Sequence, residues 1–268
     1  MQLCELTILK EFAYICEKHE LKYYLSSGTL LGAVRHKGFI PWDNDIDVEM
    51  PIEDYRRFLK IAPSELPERR FLQTYSSDPG YNETWAKIRI DGTTSLPLAW
   101  KKWKTHFGIG MDIFPLIGEY KFPAFRALQS KLFGIMRTFL AKEFAESVQE
   151  ETSVNWIIKL MWALPRKARI HLCRILERFV FRGTRKAEVF IIVDHTLKYR
   201  MKNEVYSTGS MMEFEDAAFR CPAEFDHYLT EMYGDYMTPP PEEERGIGHE
   251  MSLGKIIYDA HTDYRSYL

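Results

Sequence analysis

The chain has 268 residues, 46% of them hydrophobic, and a formal net charge of −2, so it can bury a sizeable core and lacks the polyelectrolyte character that suits nucleic acid. Its four cysteines, Cys4, Cys16, Cys173 and Cys221, stand far apart with no C-x-x-C pair, which argues against a disulfide framework or a zinc knuckle and leaves reduced, mostly buried thiols as the expectation. Glu5 interrupts the place where a secretory signal would be apolar, and no run of eighteen apolar residues occurs, so a cytoplasmic protein without a membrane span is expected.

Residues 3–18 set Leu3, Leu6, Leu9, Ala13 and Cys16 at helical spacing and predict an amphipathic opening helix. LKYYLSS reads as a short strand broken at Gly28, and TLLGAVRH as a short helix after the turn. IPWDN is a loop. DIDVEM alternates strictly and predicts a strand ended by Pro51, with IEDYRRFLKIA as the next helix. FLQTY and WAKIRID are further strands, with a turn at Asp91-Gly92, and GIGMDIFPL is another, closed by Pro115. Alternating helices and short strands indicate an α/β (α+β) core over residues 1–118. From residue 119 to about 202 the chain reads as helical, aromatic and basic: between Val154 and Lys186 nine Lys or Arg face a lone acid, Glu177. Residues 203–268 hold one more helix, near 223–232, and a Pro-rich turn, and return to the core.

The acids Asp43, Asp45, Asp47 and Glu49 recur at every second position. On a strand, side chains two apart share a face, so Asp45, Asp47 and Glu49 project to one side and Ile46, Val48 and Met50 to the other. Carboxylates that close repel one another unless something positive lies between them. A solvated edge strand is the plain alternative. Three neighbours favour chemistry instead. Ser27, Gly28 and Thr29 lie at a strand-to-helix turn, where backbone N–H groups attract an anion. Arg35, His36 and Lys37 bring positive charge, and Asp112 offers a carboxylate from another strand. Acids, an anion-binding turn and a hard cation such as Mg²⁺ together suit phosphoryl transfer.

GTLLGAVRHKGFIPWDNDIDVEM resembles the signature of the LicD family, the bacterial relatives of fukutin and fukutin-related protein. The likeness continues through KIRIDGTTS, GIGMDIFPL and YGDYMTPP with its following Arg and His. The resemblance implies a nucleotidyltransferase-like mixed β-sheet core with flanking helices and a helical insert. It also implies transfer of a phospho-alcohol, foremost phosphocholine from CDP-choline, onto a hydroxyl of a cell-surface glycan, with CMP released. Ribitol phosphate from CDP-ribitol is the variant of the fukutin-like relatives. Asn44 departs from the commonest family pattern, with its side chain expected to face away from the D-x-D pair.

With that reading, Asp45, Asp47 and Asp112 are expected to hold Mg²⁺ (or Mn²⁺), Asp112 also being placed to take the hydroxyl's proton. Ser27, Gly28, Thr29, Arg35, His36, Lys87 and Arg89 are the candidates for the donor phosphates, Ser27 doubling as a helix cap. Asp43, Arg245 and His249 are additional candidates. Tyr23, Tyr24, Trp42, Trp85, Trp100 and Trp103 are available for a trimethylammonium group, without choosing choline over ribitol or glycerol. The basic insert could rest on an anionic membrane and meet a lipid-linked acceptor, or simply pack onto the sheet. A glycerol-phosphate transferase, a true nucleotidyltransferase and a non-catalytic glycan-assembly protein remain as alternatives.

Overall fold

The computed structural model describes residues 1–148, 155–245 and 255–268. Helix α1 (Gln2–Lys18) buries Leu6, Leu9, Ala13 and Cys16 as their spacing requires, but Leu3 lies outside, 77% exposed. Strand β1 is only Tyr24–Leu25, and α2 runs Ser27–His36. Strand β2 (Asp47–Pro51) starts two residues later than the alternation suggested, so Asp45 precedes it. Pro51 is its last residue and leads straight into α3 (Ile52–Glu65). Strands β3 (Arg70–Gln73), β4 (Ala86–Ile90), β5 (Thr94–Pro97) and β6 (Gly110–Gly118) follow.

Among the described residues the main sheet is mixed and has seven strands. Its path is β1-β2-β6-β4-β3, with β2 and β6 parallel and the other pairings antiparallel. Pro115 does not close β6, as the sequence suggested. Strand β4 leaves that edge after Ile113, and β7 joins it at Leu116, so proline's missing N–H falls in the gap where no partner asks for it.

The stretch after residue 119 is less uniformly helical than its composition implies. Helices α4 (Pro123–Leu140), α5 (Lys142–Val148), α6 (Trp156–Ala163) and α7 (Arg166–Val180) are followed by β7 (Val189–Ile192) and β8 (Arg200–Lys202), which extend the main sheet from β6. Most apolar residues here are core: Phe133, Met136, Phe139, Leu140, Ile170, Cys173 and Val180 are buried between α4 and α7. Helix α6 differs, since it buries no residue and leaves Trp156 72%, Leu160 65% and Ile157 48% exposed. No helix among the described residues is long and apolar enough to cross a membrane.

A hairpin, β9 (Ser210–Phe214) and β10 (Ala217–Cys221), precedes α8 (Phe225–Tyr233), and β11 (Ile256–Asp259) pairs with β5 in a small sheet. Helices α1 and α3 pack on each other and on β6, with Phe12 and Phe58 in edge contact at 5.0 Å. Cys16, Cys173 and Cys221 are buried free thiols, and Cys4 is half-buried.

Candidate active site

Strand pairing assembles the site. Asp47 on β2 is the register partner of Asp112 on β6, Asp112 that of Lys87 on β4, and Lys87 that of Gln73 on β3. Register partners on adjacent strands share a face, so these four side chains form one row across the sheet. Asp112 therefore stands on the Asp47 side, as the sequence argument required. Lys87 Nζ lies 2.6 Å from Asp112 Oδ1, and Trp85 Nε1 donates to the same oxygen at 3.1 Å. Arg89 turns elsewhere, donating to Gln73 Oε1 and to the Gly108 carbonyl, both at 2.8 Å.

The turn at the start of α2 closes one end of the row. Ser26, not Ser27, is the residue flanking the helix, and its side chain makes no capping bond. Ser27 itself is held at φ +47°, and its N–H points at the Tyr228 hydroxyl. A non-glycine residue in that region costs of order 1–3 kcal/mol and persists when its surroundings fix it. Here Ser26 N–H donates to Asp47 O at 3.0 Å, and Thr29 Oγ1 accepts from Asp47 N–H at 2.9 Å. The turn and the first residue of β2 are thus one unit, with Thr29 positioning Asp47. Gly28 lets the turn approach Asp43 closely, since a Cβ there would sit 2.6 Å from Asp43 Oδ2 and force that carboxyl to shift.

The carboxylates around this turn carry charge in excess of their partners. Asp43 is pushed up to about 7, first by burial, then by Asp45 through charge and through a hydrogen bond between the two carboxyls. Asp47 is raised well above the usual range by burial, then by Asp45, Asp112 and Asp43, against Lys87. Two groups that sequence reasoning passed over join them. Glu5, from α1, is pushed up to about 9 by burial and then by Asp45. Tyr233, the last residue of α8, keeps 44% of its surface exposed, yet its phenol is raised by crowded surroundings and then by Asp47. Burial distinguishes Glu5 and nearness to the acids distinguishes Tyr233, and no local pattern carries either; the one sequence hint was Tyr233's membership of the YGDYM stretch.

Glu49 parts from the other acids. Although it alternates with Asp47, it is fully buried and accepts from Ser26 Oγ, Tyr228 OH and, at 2.8 Å, Tyr206 OH. Burial pushes it up to about 7 and the three hydroxyls oppose the shift. Hydroxyl groups, rather than a cation, compensate it.

The basic residues gather beyond Asp43. Arg245 lies over the Trp42 ring at 4.8 Å, and His36 meets the ring edge-on at 6.2 Å. Arg35 Nη1 donates to Tyr236 O at 2.8 Å; desolvation and then Arg245 hold it below its usual range, as desolvation and then Arg35 do for His36. His249 lies outside the described residues. Asn44 Nδ2 donates to Tyr258 OH at 2.5 Å, and its N–H to Asp43 Oδ1 at 3.1 Å. Of the aromatics, Tyr23, Tyr24, Trp85 and Trp103 are buried, and the Trp42 face already carries the Arg245 guanidinium.

A last cluster flanks Asp112. Glu83, pushed up to about 7 by burial, has His195 Nδ1 3.4 Å from its Oε2, and the His195 ring meets Trp85 at 4.8 Å.

The donors suit a hard divalent cation: carboxylate oxygens that repel one another, raised toward protonation, with a hydrogen bond between Asp43 and Asp45 standing where a positive charge would relieve them. Among the described residues no three such groups are already drawn together around one point.

A family model described as LicD/FKTN/FKRP, nucleotidyltransferase domain, matches residues 20–123. The lipopolysaccharide cholinephosphotransferase LicD of Haemophilus influenzae is 31% identical over 254 residues, covering 92% of this chain and 94% of that protein. The chain belongs to the LicD family. Human and mouse ribitol 5-phosphate transferase FKRP are each 42% identical to this LicD-family chain over 77 residues, 26% of it and 16% of the mammalian proteins. The matched stretch contains the whole row together with Asp43 and Asp45, whereas Glu5, His195 and Tyr233 lie outside it.

Proposed function

We propose that the protein transfers a phospho-alcohol from a CDP-alcohol, CDP-choline foremost, to a hydroxyl of a cell-surface glycan or its lipid-linked precursor, releasing CMP. The observation that carries this reading is the pairing of Asp47 with Asp112 beside the Gly28 turn. The similarity to a protein named a lipopolysaccharide cholinephosphotransferase favours choline and a glycan acceptor. CDP-ribitol is the next donor to test, because a shorter stretch is similar to the ribitol 5-phosphate transferases.

Asp45 and Asp47 are assigned as ligands of Mg²⁺ or Mn²⁺, joined by Asp112. When bound, that ion supplies charge compensation for the donor diphosphate. Gly28 and Thr29, in the first turn of α2, have N–H groups outside the intrahelical ladder and offer them to a phosphate oxygen. Lys87, released from Asp112, reaches for the same phosphates. Arg35 and Arg245 counter the charge on departing CMP, with His36 offering a ring N–H to it. The acceptor hydroxyl attacks the phosphorus bearing the alcohol, the bond from that phosphorus to the CMP oxygen breaks, and Asp112 receives the hydroxyl proton.

The test is a screen of CDP-choline, CDP-ribitol, CDP-glycerol and CDP-ethanolamine for Mg²⁺-dependent CMP release. Pyrophosphate release with a nucleotidylated acceptor would replace this reading with a nucleotidyltransferase. Turnover of none of them, together with metal-independent glycan binding, would leave an assembly protein.

Exposed Trp156, Ile157 and Leu160 beside Lys159 favour a second contact, of α6 with an anionic membrane surface where a lipid-linked acceptor would be met.

A further inference from the structure

The acid cluster has a member that comes from the first turns of α1. Glu5 is only 2% exposed, and its Oε2 is a buried oxygen without a hydrogen-bond partner among the described residues. A buried carboxyl oxygen in that state is costly, and most such atoms in folded proteins are satisfied. The helix is fixed where it is. Gln2 Nε2 donates to Asp43 O at 2.9 Å and to Ile40 O at 3.4 Å, which ties the start of α1 to the loop carrying Asp43. The same helix packs on β6, the strand that carries Asp112.

Burial and then Asp45 disfavour a charge on Glu5, with Asp43 and Asp112 adding to them and the N-terminal ammonium opposing. As packing, the side chain is a poor choice: a glutamine or methionine would fill similar space without repulsion. A carboxylate directed at other carboxylates becomes favourable when a cation enters among them.

We propose that Glu5 is a positioning carboxylate of the divalent-cation site, facing the ion held by Asp45 and Asp47 either directly or through one of the ion's water molecules. This rests on the metal reading given above and extends the site beyond the stretch matched by the family model. Its effect is on how tightly and in what orientation the ion is held.

The test is Mn²⁺ binding to the full chain without donor, followed by the loss of the free-ion electron paramagnetic resonance signal, with thermal melting in parallel. Wild type, Glu5→Gln and Asp45→Asn are compared. Glu5→Gln is expected to weaken Mn²⁺ binding about 10- to 100-fold. It should also melt higher than wild type without metal and gain less from added Mn²⁺. Mn²⁺ affinity unchanged in Glu5→Gln, with Asp45→Asn impaired, overturns the role of Glu5 alone. Absence of Mn²⁺ binding by the wild type, with or without a CDP-alcohol, overturns the metal reading and this one together. Should Glu5→Gln fail to fold, Glu5→Met, uncharged and similar in size, takes its place with the same two outcomes.

Discussion

Lys87 and Asp112 are register partners on antiparallel strands, and their ion pair at 2.6 Å spans the centre of the candidate active site. Both side chains are mostly buried, so the pair is screened far less than a surface one. Lys87→Met leaves Asp112 facing Asp47 with only the Trp85 N–H as a partner. The expected outcome is a stability loss of about 1–3 kcal/mol in urea unfolding and a fall in CMP release of about 100-fold. Normal activity in this variant would remove Lys87 from the phosphate site.

Asp45→Asn and Asp47→Asn should each lower transfer by at least about 1,000-fold, because several kcal/mol of charge stabilisation at the phosphates is lost. Both variants should stay folded by circular dichroism and melt no lower than wild type without metal, since each removes a repelling charge. Turnover within about tenfold of wild type would refute the assignment of these two residues as ligands.

Glu49 tests a different balance. Tyr228→Phe removes one of its three hydroxyl donors and also the acceptor of the Ser27 N–H. Leaving a buried carboxylate short of a donor should cost about 1–3 kcal/mol in chemical denaturation. Because Ser27 opens the turn that carries Gly28, the Michaelis constant for the donor should rise as well.

The metal-free protein should lose stability as pH rises. Glu5 moves from 4.5 to about 9, Asp43 from 3.8 to about 7 and Glu49 from 4.5 to about 7. Folding raises all three, so over this range the folded state binds protons that the unfolded chain has released. Their contribution is complete below the unfolded values and is lost as pH climbs through the folded ones. Melting temperature is therefore expected to drop by several degrees between about pH 5 and about pH 9. Saturating Mg²⁺ should flatten the profile, and a metal-free profile rising with pH would contradict the account.

For the membrane contact, the wild-type protein should sediment with anionic vesicles at low salt, and Trp156→Glu should not. No sedimentation of the wild type would leave α6 without that role.

The local patterns that survive in the structure are those set by neighbours in sequence. Strict alternation in DIDVEM and WAKIRID put Asp47 and Lys87 on definable faces, and Gly28 marked the turn. What the sequence could not give was depth and long-range pairing. Val189 to Ile192 is apolar and short, a run that a strand and a buried helix both accommodate, and only pairing with β6 decides it. Glu49 alternates correctly with Asp47, but its hydroxyl partners come from residues 26, 206 and 228. In the sequence Glu5 showed only as the acid that breaks an apolar start, and burial beside Asp45 gives it another meaning.

Strand β6 is shared: β4 covers one edge as far as Ile113, and β7 takes over from Leu116. A fragment trimmed to residues 20–123 would discard both α1 and β7, leaving an apolar strand end with unpaired amides and no Glu5. Such a truncation should aggregate rather than act as a minimal transferase.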